Sequence, residues 1–141
     1  DSKGGVFTVM LDFSNEIFNA VAKHLRSLYK GIQVKGEYVA TPAKFPTVTI
    51  DEISNVPVHL DSSKENKYAD VVYRVQVFSN KANGKRAEAR QIYASVDEKM
   101  MELGLFAKSF TTTPAIYNSE IYSITATHGG IIGADGVVYR N

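Results

Sequence analysis

The sequence predicts an α+β fold: a mainly antiparallel sheet with two helices packed on one face, plus a C-terminal β-hairpin extension. Three observations carry that prediction. Residues 68–78 alternate, with Val71, Tyr73, Val75 and Val77 on one side and Arg74 and Gln76 on the other, the period-2 pattern of a strand with one buried face. After the turn-rich stretch 79–84 the period becomes helical, with Ala89, Ile92, Val96, Met100 and Leu103 on one stripe. A second helical stripe opens the chain, and strand patterns return after Gly104. Helices and strands in that order form an open sheet with helices on one side rather than a wound parallel sheet.

The first helix is expected over 13–29, where Phe13, Ile17, Val21, Leu25 and Leu28 share a face. Asp12 or Ser14 is placed to cap it, and Glu16 complements the positive end of its dipole. Lys23, Arg26 and Lys30 gather near its far end, and Gly31 supplies a left-handed stop. Residues 38–40 read as a short strand, broken by Thr41 and Pro42. A further strand is expected over 47–53, with Val48 and Ile50 inward and Thr47, Thr49 and Asp51 outward. Residues 55–68 read as a long polar loop, a length usually found at functional or disordered segments. Strands are expected at 106–113 and 121–127, with Pro114 beginning a turn between them and Tyr122, Ile124 and Ala126 on one side of the second. The tail 128–141 reads as a hairpin with Ala134, Asp135 and Gly136 at its tip.

At 141 residues the chain fits one domain, and such a length buries roughly 68% of its unfolded surface without staples. Residues 1–9 are expected to be an N-terminal arm, 10–128 the core and 129–141 the extension. Met10 is a candidate natural start with 1–9 an upstream extension, since Lys3, Gly4 and Gly5 are what a purine-rich ribosome-binding site would encode; an ordinary arm is the alternative. The chain has no Cys, which excludes disulfides, thiolate metal sites and a cysteine nucleophile. Sixteen basic and fifteen acidic residues give a net charge of +1, too little excess for a protein that grips nucleic acid chiefly by its phosphates. No apolar run approaches the ~20 residues of a membrane span, and the first residues lack a signal-peptide pattern.

Catalysis finds little support. A hydrolytic site needs a nucleophile beside an oriented base. The histidines are His24 within a helix, His59 in the long loop and His128 at a strand end, and no nucleophile elbow accompanies them. The glycines at 129, 130, 133 and 136 match neither dinucleotide nor Walker spacing and lead into Val137, Val138 and Tyr139, with no room for a phosphate-binding helix. Acidic pairs such as Asp51 and Glu52 diverge on regular elements, and Asp61 lies in no calcium-loop pattern. No metal and no cofactor is expected.

Lys81, Lys85, Arg86 and Arg90 form the notable basic cluster. Cations at a helix start oppose its dipole by a few tenths of a kcal/mol each. A solvated charged corner outweighs a nucleic-acid site, because no stacking platform accompanies it. What remains are surfaces suited to symmetric assembly. The candidate contact residues are His59, Asp61, Lys64 and Tyr68 around the long loop, and Arg74 and Gln76 on the second sheet face. Lys81, Lys85 and Arg86 at the basic corner join them, with Ile131, Ile132, Val137 and Tyr139 in the tail.

Taken together, these pieces resemble the tail terminator (tail completion) proteins of long-tailed bacteriophages, the lambda-type terminator and related head–tail joining proteins. The resemblance covers 10–128. It rests on the amphipathic first helix, then Phe45, Pro46, Thr47, Val48, Thr49 and Ile50 entering a strand. Tyr73, Arg74, Val75, Gln76, Val77 and Phe78 follow, then a long helix with Glu88, Ala89 and Val96. Gly104, Leu105 and Phe106, and a late strand around Tyr122, Ser123, Ile124 and Thr125, complete it. The resemblance implies a non-enzymatic virion protein at the head-proximal end of the tail, assembled in the bacterial host cytoplasm. It implies a homo-oligomer, a hexameric ring that caps the tail tube protein, ends tube growth and meets a head-completion or connector protein. DNA then passes through the channel without sequence-specific binding, and no membrane is involved. The alternatives are another head–tail connector or tail tube component, or a small nucleic-acid-binding α+β domain. The stretch 129–141, an extra hairpin, departs from the family pattern, as does 1–9 where it is an upstream extension.

Overall fold

The structure, a computed structural model, describes residues 13–58, 68–115, 118–133 and 138–139. Its elements run α1 (Ser14–Leu28), β1 (Gln33–Lys35), β2 (Thr47–Val58), β3 (Tyr68–Ser79), α2 (Lys85–Glu102), β4 (Phe106–Ala115), β5 (Asn118–Gly133) and β6 (Val138–Tyr139). The strands form one sheet in the order β1-β2-β3-β5-β4, with β6 also on β5. Only β1 and β2 run parallel; the other pairs are antiparallel. The α+β class and the two helices on one face are as expected.

The core lies between that face and the helices. Ile17, Val21 and Leu25 of α1 and Ile92, Val96 and Met100 of α2 bury against Val48, Ile50, Val71, Tyr73, Val75 and Val77. Each such side chain contributes about 1.5–3 kcal/mol by leaving water. In β3 every second residue from Ala69 to Val77 faces this core.

Both helices end where backbone chemistry requires. Tyr29 N–H bonds Leu25 O, and Gly31 then takes a φ of 81°. At the end of α2, Gly104 (φ 82°) allows Leu105 N–H to reach Met100 O and Gly104 N–H to reach Met101 O, the paired bonds of a Schellman stop. The expected cap of α1 differs: Phe13 is the cap residue, without a side-chain hydrogen bond, and Ser14 is already helical. Asp12 lies outside the described residues, as do 1–11 and the candidate start Met10.

Four strand expectations are corrected. The short strand falls at Gln33–Lys35, not 38–40, because parallel pairing with Thr47–Thr49 requires a chain that then returns along the sheet. Thr47 and Thr49 point away from the helices yet are fully buried, for the reason given below. The 55–68 loop shrinks, since 55–58 and Tyr68 continue the β2–β3 ladder to the pair Val58 and Tyr68. Pro114 remains within β4, whose register slips between Ala107 and Ser109 and again between Pro114 and Ala115.

The tail hairpin exists as β5 and β6, with Ile131 opposite Tyr139 and Ile132 opposite Val138. Its first arm is no appendage, because β5 pairs with β3 as far as Gly133 and Ile132 belongs to the core cluster. The tip at 134–136 lies outside the described residues. Gly130 is held to a bare backbone, since a Cβ there would sit 2.5 Å from Gly104 O. Among the described residues no helix is long and apolar enough to cross a membrane.

Candidate assembly surface

The second sheet face begins with a consequence of parallel pairing. Residues 36–46 join β1 to β2 and cross part of that face. Gln76 Oε1 accepts from Val39 N–H at 3.3 Å and from Thr49 Oγ1 at 2.7 Å, while Thr47 Oγ1 donates to Lys44 O at 2.6 Å. This cover buries Thr47, Thr49 and Gln76, which is only 5% exposed. Arg74 lies nearer the open part. Its guanidinium grips Asp51 through two bonds, Nε to Oδ1 at 3.2 Å and Nη2 to Oδ2 at 2.7 Å. The Tyr38 ring stacks under it at 4.5 Å, adding a cation–π contact. Gln76 is thus consumed within the chain's own fold, and Arg74 is half-committed.

The remaining expected contact residues divide between the two ends of β3, a strand spanning roughly 35 Å. At one end Tyr68 pairs with Val58 and Gly133, beside the ladder of Ile131 with Tyr139. Ile131 and Ile132 are buried there and stabilise the fold itself. His59, Asp61, Lys64 and Val137 lie outside the described residues. At the other end Lys81 and Arg86 are exposed and Lys85 is half-buried.

That basic corner is better built than its sequence suggested. Ser79 pairs with Tyr122 across β3 and β5, bringing the phenol under the first turns of α2. Burial alone would raise Tyr122, but hydrogen bonds with Thr112, Arg90 and Arg86, together with the Arg90 charge, hold it below its ordinary value. Arg90 also lies 5.7 Å over the Phe110 ring. Among the described residues neither guanidinium has a carboxylate partner. Glu88, in the same first turn, is occupied by Ser79 Oγ at 2.6 Å. Arg86 and Arg90 were legible as an i, i+4 pair; Tyr122 and Phe110 were not, because strand order alone brings them there.

His128 is the other feature missed. It is fully buried, with Tyr93 Oη 2.8 Å from Nε2 and Leu105 O 3.3 Å from Nδ1. A carbonyl only accepts, so Nδ1 carries the proton and Tyr93 donates to Nε2. Asp97 Oδ1 stands 3.9 Å from Nδ1. This cluster ties α2 to β5. His24 lies on α1, 3.8 Å from Glu98. Among the described residues no group of three or more His, Cys, Asp or Glu is placed to hold a metal ion.

The fold defines a class: two helices over one face of a six-stranded, mostly antiparallel sheet. A chain of the solved structure titled "Virion of native gene transfer agent (GTA) particle" has the same fold, with a TM-score of 0.58 at 14% sequence identity. The match covers 82% of this chain and 93% of that one. No protein-family model and no curated protein matches the sequence.

Proposed function

We propose that this chain is a structural virion protein that caps the tail tube as a ring, terminates tail polymerisation and joins the tail to the head connector. The observation that carries the reading is the fold shared with a chain of a phage-like virion particle over 93% of that chain's length. The resemblance to tail terminators, stated from the sequence, narrows a virion component to this role. Its partners are then copies of itself in a hexamer, the tail tube protein on one ring face and a head-completion protein on the other. The mechanism is surface complementarity: one ring face matches the tube end, and the opposite face lacks what recruits further tube subunits. DNA passes through the channel unread, in keeping with a net charge of +1.

Native mass spectrometry of the protein, alone and with tube protein, tests this. A closed ring that binds tube ends and limits tube length is expected. A stable monomer indifferent to tube protein removes the proposal, and self-stacking into long tubes reassigns the chain to a tube subunit.

A further inference from the structure

α2 carries several of its charges against its own dipole. Arg86 and Arg90 stand near its start and Glu98 near its end, whereas a helix favours acids at its start and cations at its end. The residues placed the favourable way are already engaged: Glu88 with Ser79, and Lys99 with Glu102 at 3.5 Å. Arg90 and Glu98 lie two turns apart and about 80° around the helix axis at about 100° per residue, so they lean to different sides of its exposed face. Arg86 and Arg90 face β4 and β5, where Arg90 covers Phe110 and both reach Tyr122. Glu98 faces α1, and its side chain is 71% exposed, with only the His24 ring at 3.8 Å.

Each side also carries an exposed apolar side chain. On the basic side the Phe110 ring projects, 43% exposed. On the acidic side α1 and α2 leave a groove of about 400 Å³, lined in part by Leu28, Ala94 and Glu98. Leu28 is 54% exposed there. A partly exposed aromatic with a cation beside it thus lies between α2 and β4. A groove of mixed polar and apolar lining, with the largely exposed Glu98 carboxylate on it, lies between α1 and α2.

We propose that the Arg90 and Phe110 flank of one copy docks into the α1–α2 groove of the next copy, Arg90 pairing with Glu98 and Phe110 seating against Leu28 and Ala94. The two patches differ, so the contact is head-to-tail, the kind that repeats into a ring. This deepens the ring reading above and rests on it, naming the subunit contact that the reading requires. Charge complementarity selects a second copy as occupant: the groove presents a carboxylate, which suits the guanidinium of this chain and repels a phosphate.

Reciprocal charge reversal tests the pairing. Arg90→Glu and Glu98→Arg are prepared separately, and cooperative unfolding checks that each is folded. Each alone juxtaposes like charges at every contact, so its contact is weakened roughly a hundredfold and the ring mass is lost in native mass spectrometry. An equimolar mixture restores opposite charges at every contact of an alternating ring, and an even-membered ring returns. The neutral variants Arg90→Gln and Glu98→Gln weaken the ring without abolishing it. Wild-type rings with either reversal still assembling overturn this contact and leave the ring reading intact. Folded variants whose mixture stays monomeric overturn it equally. An Arg90→Glu protein that keeps its ring but loses retention on duplex DNA assigns the patch to nucleic acid instead. A wild-type monomer removes ring and contact together.

Discussion

His128 shows what one buried titratable side chain implies for the protein. It sits on the core side of β5 because it continues the alternation of Tyr122, Ile124 and Ala126. Burial lowers its pKa below the ordinary histidine value, partly opposed by the Leu105 carbonyl and the Asp97 charge. Burial, with Asp97 adding, pushes the Tyr93 phenol up to about 12, so it remains a donor across the accessible range. The unfolded chain takes up a proton on this histidine near pH 6.5, while the folded chain resists it. The unfolded state therefore binds more protons, and stability falls as pH drops below about 6.5, by at most about 1.4 kcal/mol per pH unit from this group. The loss stops once pH passes below the depressed folded value. Denaturant titrations of wild type and His128→Gln between pH 7.5 and 5 check it, since the other two histidines are common to both. The variant is expected to be less stable at pH 7.5 and to show a shallower decline on acidification. Parallel pH profiles would refute the assignment.

Among the elements, the 36–46 connection does most to change the character of the sheet. It converts a Thr- and Gln-rich face, which its pattern marks as open, into one with a buried polar seam at Thr47, Thr49 and Gln76. Gln76 Oε1 is the shared acceptor of that seam, serving the loop through Val39 and the sheet through Thr49. Replacing it by Leu leaves both donors unsatisfied, at a cost of about 1–3 kcal/mol. Gln76→Leu is therefore expected to lower the denaturation midpoint and to speed amide hydrogen exchange at Val39 and its loop neighbours, while amides of α2 keep their protection in proportion to global stability. Unchanged exchange at Val39 would show that the latch lies elsewhere. The helices and β3 were legible in the sequence because each carries several periods of one pattern. The loop was not, because β1 has only three residues, too few to show a period, and its partner lies 14 positions away in register. Hence the second face could be located from Arg74 and Gln76, but not which part of it is covered. The basic corner was half legible for the same reason. Arg86 and Arg90 follow a helical interval, whereas Tyr122 and Phe110 reach them only through the β3–β5–β4 order.

For the molecule as a whole, the outcome turns on where the folded core ends. A boundary after residue 128 was the natural reading of a glycine-rich tail, but it cuts through β5. Gly129–Gly133 pair with the first five residues of β3, and Ile131 and Ile132 are buried. A chain ending at His128 loses both isoleucines and leaves the start of β3 without its β5 neighbour. At about 2–5 kcal/mol for each buried isoleucine lost, it is expected to lose about 4 kcal/mol or more and to unfold well before the full chain. A chain ending at Gly133 loses β6, whose pairing involves only Ile131 and Ile132. It is expected to unfold cooperatively within about 1–2 kcal/mol of the full chain, the worth of a few ladder hydrogen bonds. Equal midpoints for the two truncations would refute the placement of Ile131 and Ile132 in the fold. The shorter deletion then separates subunit from assembly. If Val137 and Tyr139 contribute to ring or partner contacts, the chain ending at Gly133 stays folded but loses ring mass or tube capping. If both survive, the tail leaves the candidate contact set, and the proposed ring rests on the Arg90 and Glu98 contact of α2.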